Sequence, residues 1–147
     1  GISTAVAVAH VEGYLCYIYS VAVLRNGRLT RTGGYVNTAK VWDSTTKECV
    51  GTLEGHTDDI TSVAVSLNGK FIVTGSEDKT AKVWDSATKE CVGTLEGHTD
   101  AINSVAVSLA GKVIMTGSSN ETANVWDSAT KECVGTLGGP TKTIIKR

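Results

Sequence analysis

Residues 80–100 read TAKVWDSATKECVGTLEGHTD, and residues 38–58 read TAKVWDSTTKECVGTLEGHTD; a single letter separates them, Ala87 against Thr45. Most of the same line recurs from Thr122. Working outward from it, the chain divides into three blocks of 42 residues, 12–53, 54–95 and 96–137. The second and third blocks agree at 33 of 42 positions and the first and second at 26 of 42, which makes the first block the divergent one. A fixed period in this range is the mark of a repeat architecture, in which each unit shelters the apolar face of its neighbour.

Within a block, four short runs rich in Val, Ile and Thr are separated by turn residues. In the second block ITSVAVS (60–66) and FIVTGS (71–76) flank LNGK, TAKVWD (80–85) follows EDK, and ECVGTL (90–95) follows SATK. The Asn-Gly pair signals a hairpin, and the runs are too short and too β-branched for helices. Each block therefore predicts a four-stranded antiparallel meander. One such sheet cannot cover both its faces, so the sheets must stack about 10 Å apart. The twist of antiparallel sheets and the EGHTD link between blocks favour radial over linear stacking, that is, a β-propeller segment. The expected fold is all-β: three four-stranded antiparallel blades and, at 5–11, an extra N-terminal strand that aligns with the outermost strand of a block. Residues 1–147 read as one such segment, with partial repeats at 1–11 and 138–147.

Composition narrows the function. Fourteen basic residues against 15 acidic ones leave a net charge of −1, without the basic excess of a nucleic-acid or anionic-membrane binder. No apolar run approaches the roughly 20 residues of a spanning helix. The N-terminal GISTAVAVAHV lacks a basic leading region and is not read as a signal peptide. The glycines fall in turns rather than in a phosphate-binding loop, so no cofactor is expected.

The Gly55-His56 pair, SVAVS, a turn, and then TGSEDKTAKVWD resemble the WD-repeat β-propeller family, over residues 12–137 and in register from block to block. The resemblance implies one hydrogen-bonded set of four per blade: a turn Asp on the His, a second-strand hydroxyl, and the Trp ring nitrogen donating at the far end. In the second block these are His56, Asp78, Trp84 and either Thr74 or Ser76, with Ser76 preferred. The third keeps His98, Trp126 and Thr116 or Ser118, with Ser118 the matching choice. There Asn120 replaces the Asp, its amide oxygen still able to accept from the His or the backbone but without the charge. In the first block Tyr14, Val36 and Gly34 replace three members, leaving Trp42 and Thr32. Only the middle blade is expected to have a complete set.

Other readings of these residues are weaker. His56, Asp78 and Ser76 are the residue types of a nucleophilic triad, but the Trp partner and the recurrence favour a buried structural network. Cys49, Cys91 and Cys133 repeat at one outer-strand position, about 20 Å apart by strand spacing, whereas a disulfide needs Cα atoms within about 7 Å. They read as small apolar packing residues, Cys16 as exposed, and no spacing suggests a metal. Free thiols favour a reducing compartment, cytoplasmic or nuclear. The Asn120-Glu121-Thr122 sequon is set aside because it falls in a tight turn.

The positions that vary are the functional clue. Asp59 against Ala101, Thr61 against Asn103, Glu77 against Ser119, Asp78 against Asn120 and Lys79 against Glu121 all fall in the link after Gly-His or the turn before the third strand. In the resembled family both lie on one rim, the usual partner-binding face, and the first block places Tyr17, Tyr19 and Tyr35 there. The expected function is a non-catalytic scaffold presenting this rim to a protein or peptide partner. The alternatives are a ligand-sensing segment of a larger signalling protein and a non-functional fragment of a longer array. Three blades form an open arc whose ends expose apolar faces. Further blades in a longer chain are the preferred cover, and self-association, for instance six blades from two chains, is the other.

Overall fold

The computed structural model describes residues 3–14, 17–26, 37–43 and 46–138. They form three four-stranded sheets, every neighbouring pair antiparallel. The first contains β1 (Ser3–Tyr14), β2 (Tyr17–Asn26), β3 (Thr38–Asp43) and β4 (Cys49–Glu54). The second contains β5 (Ile60–Val65), β6 (Phe71–Ser76), β7 (Ala81–Asp85) and β8 (Cys91–Leu95). The third contains β9 (Ile102–Val107), β10 (Val113–Ser118), β11 (Thr122–Asp127) and β12 (Cys133–Gly138).

The second sheet shows how the sequence sets the pattern. Between β5 and β6, Gly69 takes φ +75° and its N–H donates to the Ser66 carbonyl at 2.8 Å, while the Ser66 hydroxyl accepts from the N–H groups of Lys70 and Phe71. The third block makes the same turn with Ala110 before Gly111, which also has φ +75°, so the glycine and not the Asn-Gly pair decides it. Along β6 the side chains alternate. Ile72, Thr74 and Ser76 point toward the first sheet, and Val73 and Gly75 toward the third; all five are buried because both faces are covered.

Two cores result. Ala39, Val41 and Leu53 of the first sheet pack on Ile60, Ile72 and Trp84 of the second. Val73, Ala81, Val83 and Leu95 of the second pack on Ile102, Ile114 and Trp126 of the third. Each sheet thus has a leading face, carrying the Trp, that covers the sheet before it, and a trailing face that receives the next. The joint is keyed. A Cβ on Gly75 would lie 2.6 Å from Ile102 Cγ2 and 3.0 Å from Val105 Cγ1, so the missing side chain is the space those residues occupy. Farther out, Lys89 and Lys131 sit in left-handed turn positions (both φ 67°) and lay their stems over Gly51 and Gly93 of the preceding sheet. Thr61 adds a strut, its hydroxyl donating to the Ile102 carbonyl.

Valine at Gly93 would drive Lys131 from its seat, where a bare Cβ already comes within 2.8 Å of Cγ. We expect Gly93→Val to cost about 1–3 kcal/mol in urea denaturation. Among the described residues nothing lies within 4 Å of the equivalent point on Gly135, so Gly135→Val, compared with Gly93→Val at concentrations where the chain is monomeric, should be neutral or slightly stabilising. Equal losses at the two positions would rule out the keyed joint.

The first sheet departs from expectation. The N-terminal strand is not an extra outer strand: β1 pairs with β2 as the innermost strand of the first sheet, and β2 pairs with β3. Val21 stands opposite Val41 as Val73 stands opposite Val83, so SVAV, innermost in the other blocks, is here the second strand. Arg31 supplies the reason. It aligns with Val73, which is fully buried between sheets, and a charge there would be desolvated without a partner. The chain instead draws on the alternating apolar stretch that precedes it. Residues 27–36, which hold the aligned second strand (29–34) and part of the turn after it, and with them Thr32, Gly34, Tyr35 and Val36, lie outside the described residues, as does Cys16.

Candidate functional site

A buried, hydrogen-bonded cluster of polar side chains lies on the leading face of the second sheet. The link after β4 brings His56 under the β6–β7 turn, where it is 4% exposed. His56 Nδ1 is 2.8 Å from Asp78 Oδ2, His56 Nε2 is 2.7 Å from Thr74 Oγ1, and Trp84 Nε1 donates to the same Thr74 oxygen at 2.9 Å. The indole can only donate and the carboxylate only accept, which fixes the direction. His56 Nδ1–H donates to Asp78, the Thr74 hydroxyl donates to His56 Nε2, and Thr74 accepts from Trp84. Asp78 also accepts from the Thr57 N–H and, through its other oxygen, from the Thr80 N–H and hydroxyl.

The hydroxyl in the set is therefore Thr74, not the preferred Ser76. Both point to the same face, but Ser76 lies one pair nearer the rim. There its hydroxyl donates to the Asp59 carbonyl at 2.8 Å and accepts from the Asp78 N–H. Ser118 is displaced in the same way: it donates to the Ala101 carbonyl, and Thr116 is the residue that bonds His98 (2.6 Å) and Trp126 (2.9 Å).

In the third sheet the chain of bonds stops at the histidine. Asn120 does not accept from His98. Its Oδ1 holds the Thr122 N–H and hydroxyl, as the inner oxygen of Asp78 holds Thr80, and its Nδ2 donates to Thr99 Oγ1. Where the aspartate offers a second acceptor, the amide offers a donor, and His98 Nδ1 is buried without a partner. A cleft of about 330 Å³ opens alongside, lined among others by His98, Asn120, Asn124 and Thr136. In the first sheet Ala22 stands opposite Lys40, where Thr74 stands opposite Lys82, so that position carries no hydroxyl for Trp42.

The WD domain, G-beta repeat, family model matches residues 47–85 and 89–127, together just over half the chain. The chain belongs to the WD-repeat family. Each match runs from the outermost strand of one sheet through the third strand of the next, as the link geometry of WD repeats requires. No curated protein matches the chain. WD repeats commonly mediate protein–protein interaction and are generally non-catalytic. The geometry here agrees with the second point for this cluster. A triad would need Thr74 as its nucleophile, and Thr74 is fully buried and capped by Trp84. Among the described residues no group of His, Cys, Asp and Glu could hold a metal. Cys49, Cys91 and Cys133 are exposed rather than packed, each Sγ turned back on a strand carbonyl.

The variable positions fall at one rim, as expected for the link and turn. The Glu77 N–H donates to the Asp59 carbonyl and the Ser119 N–H to the Ala101 carbonyl, tying the two segments together in each WD repeat. Glu77, Lys79, Asn103, Ser119 and Glu121 are exposed there. Asp59 is buried and Thr61 is committed to the third sheet, so neither offers a contact. Tyr17 and Tyr19 move to the opposite rim. Once 17–26 is the second strand its direction reverses, and Tyr19 pairs with Asp43 at the end where Phe71 pairs with Asp85.

Burial lowers the pKa of both histidines; for His56 it outweighs the raising effect of Asp78. Burial would raise Asp78, but the bonds from Thr80, His56 and Thr57 outweigh it and hold the carboxyl below its ordinary value. The unfolded chain therefore takes up protons first as the pH falls. The histidine contribution is fully present above about pH 6.5 and drains away below it, and the Asp78 contribution follows below about pH 4. We expect the urea midpoint to fall steadily from about pH 7 to pH 5. A midpoint that rises over that range would contradict the assignment.

Proposed function

We propose that the chain is a non-catalytic WD-repeat scaffold that offers the Gly-His rim to a protein or peptide partner in a reducing compartment, cytoplasmic or nuclear. One observation carries the reading. The second and third repeats keep the residues of the apolar joint nearly unchanged, yet exchange Glu77 for Ser119 and Lys79 for Glu121 at adjacent exposed turns. Such turns on a rigid sheet are where binding residues concentrate. Their mixed charges suit a polar partner surface rather than a nucleic-acid backbone. The test compares proteins retained by the wild-type chain with those retained by a Glu77→Lys, Glu121→Lys variant of unchanged melting temperature. A partner lost from the variant supports the rim; identical retained sets overturn it.

A further inference from the structure

The keyed joint occurs twice within the chain, and among the described residues its trailing half recurs once more uncovered, on the third sheet. On the trailing face of the third sheet Met115 and Leu137 are 41% and 43% exposed, whereas their equivalents Val73 and Leu95 are 0% exposed beneath the third sheet. The two sockets also lack the neighbouring sheet. A Cβ on Gly75 would meet Ile102 and Val105 of the next sheet besides Ser62 of its own, but among the described residues a Cβ on Gly117 would meet only Ser104 and Asn103 of its own sheet. Gly51 and Gly93 lie under lysine stems, but among the described residues nothing lies within 4 Å of a Cβ on Gly135.

The missing half is present at the other end of the same molecule. Over its outer two strands the first sheet carries Lys40, Trp42, Lys47 and Thr52, the same residue types as Lys82, Trp84, Lys89 and Thr94, of which Trp84 and Lys89 close the first joint. Lys47 has φ 66° against 67° for Lys89, and its N–H makes the same turn bond, to the Asp43 carbonyl. It is exposed. Over these two strands the first sheet thus matches the trailing face of the third and not its own kind.

We propose that the trailing face of the third sheet receives the leading face of the first sheet of a second copy of this chain, with Lys47 of that copy seated over Gly135. The contact is head to tail, so it generates a ring if its rotation closes and a filament if it does not. Used at both ends by two chains, it makes a closed set of six sheets. This goes beyond the rim reading and does not depend on it, since the rim stays free in either form.

Complementation tests the contact, using the full chain and light scattering across two decades of concentration. Gly135→Glu fills the socket at a point where the folded chain leaves space, and Lys40→Glu with Lys47→Glu reverses the pegs on the other end. The wild type should show a mass at least twice the 15.4 kDa monomer. Each variant alone should be monomeric with an unchanged far-ultraviolet circular dichroism spectrum. Their equimolar mixture should give a one-to-one dimer, because it restores a single intact joint. A wild type that stays monomeric throughout, a peg variant that still self-associates through its intact trailing face, or a mixture that stays monomeric would each overturn the proposal.

Discussion

Thr74→Val is expected to destabilise the fold by about 2–5 kcal/mol, more than any other change of equal volume in the second sheet. Valine matches threonine in shape, so the packing against the first sheet survives. What disappears is one hydroxyl serving two buried groups, donating to His56 Nε2 and accepting from Trp84 Nε1. Neither nitrogen has water to turn to, and each orphaned group costs about 1–3 kcal/mol. Ser76→Ala removes a hydroxyl that bridges the Asp59 carbonyl and the Asp78 N–H at the rim, and should cost about 1 kcal/mol. Urea denaturation of the two variants side by side measures the difference. If Ser76→Ala proved the costlier, the hydroxyl at the centre of the network would have been misassigned.

The second large effect is an asymmetry between repeats. Asp78→Ala leaves His56 Nδ1, the Thr57 N–H and both Thr80 donors without their acceptor, and should cost about 2–4 kcal/mol. Asn120→Ala should cost only about 1 kcal/mol, because His98 Nδ1 already lacks a partner. The reverse change is the sharper test. Asn120→Asp restores an acceptor opposite His98 and is expected to raise stability by about 1–2 kcal/mol. Losses of equal size for the two alanine variants, or no gain from the aspartate, would mean that the buried histidine is indifferent to its neighbour.

The strands of the second and third repeats were legible because both periods were present at once, the alternation within a strand and the recurrence of whole blocks. Ile72 and Val73 are both buried since sheets lie on either side, and the sequence shows this as the unbroken run FIV. The family set was legible as residue types but not in full as geometry. Thr74 and Ser76 share a face, so alternation cannot choose between them; the depth of the His56 ring in the joint does. The sequence leaves open whether the Asn120 oxygen accepts from His98 or from backbone, because amide and carboxylate look alike in outline. The competing claim of Thr122 on its only oxygen is a matter of coordinates. Thr61 and Asp59 vary between repeats, which marks them as rim contacts by sequence, yet one braces the next sheet and the other is buried.

The first repeat misled for a reason that the sequence did hold. Aligned by identity, SVAV at 20–23 belongs innermost, and the alignment then commits Arg31 to a fully buried position in the joint. Weighing the desolvation of that guanidinium against the apolar alternation of 3–11 would have moved the strand by one place. Tyr17 and Tyr19 would then have gone to the opposite rim with it. The cysteines were misread for a simpler reason: an outer strand has no sheet beyond it, so a small apolar residue there is not thereby enclosed.

The joint has a direction, with pegs on one side of each leaf and notches on the other. Copying a whole block inserts a piece whose two sides already match whatever flanks it, so the arc can lengthen with no compensating change elsewhere. Copying part of one would leave a leaf short of strands, with its pegs or notches incomplete. That gives a mechanical ground for inheritance in units of 42 letters and no other length.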